Sequence, residues 1–222
     1  MAQMDKNTVS SANQVRPEAV VTFINENGKG RRFLFVGNSI TYHAPKADIG
    51  WSGSWGMAAS SAEKDYVHVL AKKLGARYDD AAFCVCQAAT FERSLGAGNA
   101  DVTFFGKARD FGADVIVMRI VENCPKDTDK AYLLEKYTEL VRFLDKTGKA
   151  EKIVTSGFWK HPLDGVLAEA AKVLGAAFVD LGDLGERDDM KAVGLFAHGG
   201  VAAHPGDKGM EAIAARIDGA IG

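Results

Sequence analysis

The sequence predicts an α/β protein, a single three-layer α/β/α domain on a five-stranded parallel sheet. Apolar runs of strand length alternate along the chain with stretches of helical period. The runs are almost continuously apolar, the pattern of strands buried on both faces. The 222 residues are 47% hydrophobic and 25% charged, which suits one core better than two.

Taken in order, positions 1 to about 30 are polar and aperiodic, apart from Val20-Val21-Thr22-Phe23-Ile24. That short run reads either as an edge strand or as a segment packed on the flank. "NENGKGRR" then makes a turn, because Asn and two glycines accept positive φ. The first core strand is 32–37, followed by a helix with Tyr66, Val69, Leu70 and Leu74 on its inner face. Strands are expected at 80–85 and 114–118. Asp127-Thr128-Asp129 then starts a helix whose inner face is Leu133, Leu134, Tyr137, Leu140, Val141 and Leu144. A strand at 152–156 leads to a helix with Val166, Leu167, Ala170, Val173 and Leu174, closed by Gly175. The strand at 177–180 precedes a last helix carrying Met210, Ile213, Ala214, Ile217 and Ile221.

Composition narrows the partners. Lys plus Arg is 27 and Asp plus Glu is 29, so the net charge is 27 − 29 = −2. With a pI of about 6.2 and scattered basic residues, nothing favours nucleic acid. No run reaches the ~20 apolar residues of a membrane span, and the N-terminus has no apolar signal core. A cytoplasmic, non-membrane protein is expected, unless a secretory signal has been trimmed. Cys84 and Cys86 are expected to point to opposite faces of their strand and stay unpaired, with Cys124 left over. Nothing calls for a metal or a cofactor.

Ligands of such sheets lie beyond the carboxyl ends of the strands. That rule brings four loops together: Gly37-Asn38-Ser39, Gln87 to Thr90, Glu122-Asn123-Cys124, and His204 at the opening of the final helix. A serine hydroxyl needs a base to take its proton, and attack on a carbonyl needs donors for the oxyanion. Ser39 is the candidate nucleophile and His204 the candidate base. The Asn123 carboxamide and the N–H groups of Ser39 and of Ala88 or Ala89 are candidate donors.

"FVGNSIT" resembles the first block of the SGNH (GDSL-type) hydrolases, with Asn38 where the better-known form has Asp. "HPGDKGMEAIA" is similar to the last block and "VIVMRIVENC" to the third. The resemblance implies a flavodoxin-like sandwich over 31–222 behind an N-terminal extension over 1–30. It also implies ester hydrolysis by Ser39 and His204, with an oxyanion hole completed by Asn123 and Ala88. Three departures stand out: "CQAATFE" offers alanine for the family's glycine, Val121-Glu122-Asn123-Cys124 replaces Gly-x-Asn-Asp, and Val201 occupies the place of the Asp that orients the histidine. A main-chain oxygen near Val201 is therefore the expected partner of His204, with Glu122 the alternative. Arg119, on an apolar strand, is expected to pair with Glu122 or Glu92.

The insertion between Ser39 and the next helix carries Trp51 and Trp55. They are expected either to wall the substrate, with Asn38 and Glu122 beside it, or to fill a satellite core. A small-molecule ester is the expected substrate, acetyl esters and O-acetylated carbohydrate foremost. The rival readings are a nucleotide- or flavin-binding module, which lacks both GxGxxG and GxxxxGK[ST], and a degenerate, non-catalytic flavodoxin-like binding domain.

Overall fold

The structure is a computed structural model that describes residues 18–222. It contains six strands, β1 (Val21–Ile24), β2 (Arg32–Gly37), β3 (Ala82–Gln87), β4 (Val115–Arg119), β5 (Glu151–Thr155) and β6 (Ala177–Val179). They form one sheet in the order β1-β3-β2-β4-β5-β6. The helices are α1 (Tyr66–Arg77), α2 (Ala89–Gly96), α3 (Gly106–Asp110), α4 (Lys130–Leu144), α5 (Asp164–Leu174), α6 (Gly199–Ala202) and α7 (Asp207–Asp218). None of them is long and apolar enough to cross a membrane.

The five expected strands are present and parallel to one another. The sheet has a sixth member because 21–24 pairs antiparallel with β3, Val21 opposite Cys86 and Ile24 opposite Phe83. This covers the outer edge of β3, which would otherwise leave its hydrogen-bonding groups unpaired. Of the extension drawn over 1–30, positions 1–17 lie outside the described residues. The second core strand runs 82–87 instead of 80–85. Asp80 takes a positive φ of 48° and turns the chain, while pairing with β2 continues as far as Gln87 opposite Gly37.

Alternate residues of each central strand feed two cores. Leu34, Val36, Ile116, Met118 and Val154 pack under α2, α3, α4 and α5. Phe33, Phe35, Val115, Val117 and Ile153 pack under α1 and α7. Both faces are buried, so the strands read as continuous apolar runs. Cys84 and Cys86 lie together in the first core, all three cysteines being free and buried. The expectation of opposite faces fails on strand geometry, since residues two apart share a face.

The parallel strands follow the flavodoxin-like order, and strand order reverses at β2. The loops after β2 and β4 diverge there, and this opens the crevice of the fold. Gly37 ends β2 beneath that crevice, where a Cβ would lie 1.7 Å from Thr41 Oγ1. Thr41 cannot retreat freely, because its hydroxyl is 2.7 Å from that of Tyr66 in a buried pair. Gly37→Ala should therefore destabilise the protein by roughly 1–3 kcal/mol, the scale of overpacking in a full core, read as a lower denaturant midpoint. An unchanged midpoint would show that the turn absorbs the methyl group.

Candidate active site

Ser39 follows β2 on a turn in which the N–H groups of Thr41 and Tyr42 both donate to Asn38 O. His204 sits between α6 and α7, three residues ahead of the helix it was expected to open. The two meet with Ser39 Oγ 2.8 Å from His204 Nε2. On the other side of the ring, Nδ1 lies 2.6 Å from the main-chain oxygen of Gly200. A carbonyl only accepts, so Nδ1 carries the hydrogen, and Nε2 of the neutral ring accepts from the serine hydroxyl. Burial pushes the His204 imidazole down to about 4, which keeps it neutral, with Nε2 free to accept a proton, at ordinary pH. The edge of Trp159 packs against it, ring centroids 5.3 Å apart at 85°.

The acceptor for Nδ1 comes from the residue before Val201, and among the described residues no carboxylate bonds that nitrogen. Val201 itself is buried in a satellite cluster with Trp51, Met57, Ala58 and Ala192. An aspartate there would enter an apolar pocket, so the chain orients its histidine with the main chain of α6.

Beneath this pair lies a buried polar network. Arg119, fully buried at the end of β4, donates from Nη1 to Glu122 Oε1 at 2.6 Å and from Nη2 to Asn38 Oδ1. Asn38 Nδ2 donates to both glutamates, to Glu122 Oε2 at 2.6 Å and to Glu92 Oε1 at 3.0 Å. Glu92 Oε1 also accepts from the Val121 N–H at 2.6 Å, and Glu92 Oε2 accepts from Asn123 Nδ2 at 2.7 Å. Burial and the neighbouring Glu122 push the Glu92 carboxyl up to about 7. Burial alone would raise Glu122 as well, but Arg119 and the Phe158 N–H hold it below the usual carboxylate range.

The cleft above has a volume of about 260 Å³ and is lined by Ser39, His204, Asn123, Gln87, Ala89 and Arg93 among others. The expected site residues divide here. Ser39, His204 and Asn123 share the cleft. Asn38 and Glu122, expected to touch substrate, lie below it in the network, because Arg119 has to be neutralised where it is buried. The Ala88 N–H, expected as an oxyanion donor, instead donates to Gly37 O at 2.6 Å and extends the pairing of β2 with β3. The neighbouring Ala89 N–H is at the cleft, bonded to Gln87 Oε1 at 3.0 Å. Among the described residues no acceptor takes the Ser39 N–H.

Trp51 and Trp55, offered as a substrate wall, line no part of this cleft. Trp51 is 3% exposed and packs edge-on to Trp55, centroids 5.6 Å apart. Their indole nitrogens donate to His43 O and Ala59 O. The satellite core of the alternative reading is what forms. The aromatic ring beside the site is Trp159, which has no role in the sequence reading, and the carboxyl holding Asn123 is Glu92, expected there only as an alternative partner of Arg119. Glu92 was findable: Ala88, Phe91, Glu92 and Leu95 fall on one face of a helix, which places the glutamate on the buried side.

No known family's sequence profile matches the chain, and no curated protein matches it in sequence. Solved structures do match in shape. A family two carbohydrate esterase from Cellvibrio japonicus aligns with a TM-score of 0.55 at 20% identity, over 85% of this chain and 59% of that one. An acetylxylan esterase from Geobacillus stearothermophilus gives 0.54 at 18%, over 88% and 95%. A salicylyl-acyltransferase from a tetracycline biosynthetic pathway gives 0.53 at 15%, over 86% and 55%, so the chain spans little more than half of that protein and of the Cellvibrio esterase. At these identities the likeness is one of fold. The chain has the α/β/α fold of the SGNH (GDSL-type) hydrolases that its own first and last motifs resemble.

Proposed function

We propose that the chain is a serine ester hydrolase acting on small acyl esters, acetyl esters of carbohydrates foremost. The observation that carries this reading is the 2.8 Å contact of Ser39 Oγ with a His204 ring whose other nitrogen is fixed on Gly200 O. In this mechanism the serine oxygen attacks the ester carbonyl as Nε2 takes its proton. The imidazolium then returns that proton to the leaving alcohol, and water repeats the sequence on the acyl-serine. The developing oxyanion is met by the Ser39 N–H and by the hydrogen of Asn123 Nδ2 that Glu92 leaves free. The Ala89 N–H joins them once Gln87 Oε1 moves aside. A cleft of about 260 Å³ suits a short acyl group. The similar folds include an acetylxylan esterase and an esterase active on acetylated mannans, which supports the same substrate class.

Ser39→Ala and His204→Ala should each remove roughly 10³-fold or more of kcat on a 4-nitrophenyl acetate assay while leaving the melting temperature near wild type, because such groups act as a unit. Asn123→Ala should cost roughly 10²–10³ in kcat, the scale of one oxyanion donor. A Ser39→Ala protein that keeps most of its activity would sink the assignment.

Gln87→Ala should raise kcat about fivefold, since the oxyanion then no longer displaces a hydrogen bond worth about 1 kcal/mol. An equal or lower kcat in a folded variant would take the Ala89 N–H out of the mechanism.

The acid side of the pH profile follows from Glu92. Three donors face its Oε1, so a proton goes to Oε2, where it opposes Asn123 Nδ2. The carboxamide must then turn its oxygen to Glu92, which moves Nδ2 from the position in which it would meet the oxyanion. With Glu92 near 7 and His204 near 4, kcat/KM should fall as pH drops through about 7, with His204 still neutral. Glu92→Gln should have low, flat activity across that range and decline only near the lower value. A limb near pH 7 that survives Glu92→Gln would contradict this.

A further inference from the structure

Among the polar side chains of the cleft wall donors predominate, and no Asp or Glu lines it. Arg93 projects from α2 into this wall and is exposed. Among the described residues its guanidinium has no hydrogen-bond, ion-pair or ring partner. Arg31, Arg77, Arg187 and Arg216 all pair with carboxylates, on Glu151, Asp218, Asp189 and Asp183. The other polar groups around it reinforce the imbalance. His198 Nδ1 accepts the Val201 N–H at 3.3 Å, so the neutral ring carries its hydrogen on Nε2 and donates. Gln87 commits its oxygen to Ala89 and has its amide hydrogens left to offer. His43 donates from Nδ1 to Ala44 O at 2.6 Å, which leaves its Nε2 as one of the few free acceptors on the wall.

A planar fork of donors in a cleft without carboxylates is complementary to a carboxylate, which can accept two parallel hydrogen bonds from arginine. We infer that the ester substrate carries a carboxylate and that Arg93 anchors it beside Ser39. This rests on the hydrolase reading above and narrows its substrate to acidic esters. The carboxylate can come from the acyl side, as in a half-ester of a dicarboxylic acid, or from the alcohol side, as in an acetylated uronic acid.

Two matched pairs separate these sources. The first is the mono-(4-nitrophenyl) ester of adipic acid against its methyl ester. The second is O-acetylglucuronic acid against its methyl ester, read by acetate release. Wild-type protein should prefer the charged member of one pair by about 10- to 100-fold in kcat/KM, the scale of hydrogen bonds to a charged group, and the pair that responds identifies the side. Arg93→Gln should bring that ratio close to one and Arg93→Glu should invert it. High salt should compress the wild-type ratio. Because Arg93 is exposed, both variants are expected to melt like wild type. No preference in either pair, or a preference that persists in Arg93→Gln, overturns the inference while leaving the hydrolase standing. If all four esters, and 4-nitrophenyl acetate with them, are cleaved no faster than by Ser39→Ala, the hydrolase reading fails and this inference falls with it.

Discussion

Arg119 places a guanidinium at the end of β4 with no exposure to solvent, and a buried charge must be neutralised where it stands. Glu122 does so from the next turn, and its second oxygen takes the amide of Asn38. Asn38 in turn accepts from Arg119 and passes a hydrogen bond to Glu92, which holds Asn123. Three segments that are distant in sequence, at 38, 92 and 119–123, are joined by one chain of charge-assisted bonds. A network of this kind fixes geometry when every member is satisfied and costs heavily when one is removed. The crevice between β2 and β4 takes its floor from it.

The same network accounts for the asparagine in "FVGNSIT". Asn38 Nδ2 serves both glutamates and its oxygen serves the arginine. An aspartate at 38 would keep only the acceptor function and add a third carboxylate to two that share one cation. The pair already sheds part of its charge by raising Glu92. The departure from the better-known motif is therefore matched to Glu92 and Glu122.

How much of this was legible in the sequence depended on locality. The parallel strands and the main helices follow from periodic burial, and Ser39 with Asn123 follows from the rule that places ligands at strand ends. Three things depended on partners far away in the chain. The Ala88 N–H belongs to the pairing of β2 with β3, which only the register reveals. Trp51 packs on Val201 across 150 residues. Glu92 is buried by the helix phase of α2, yet only Asn38 and Asn123 explain why a carboxyl is tolerated there. Residue type and spacing mark where a polar group lies; its partners decide whether it faces substrate or supports what does.

The satellite cluster of Trp51, Met57, Ala58, Ala192 and Val201 lies outside the two cores that hold the sheet. Its members also grip both halves of the candidate dyad through the main chain, Met57 N–H to Ser39 O at 2.8 Å and Ala192 N–H to His204 O at 2.9 Å. Small units of this sort open at lower free energy than the global fold. Local opening of this cluster would therefore release Ser39 from His204 before the α/β/α framework exposes its own amides to exchange.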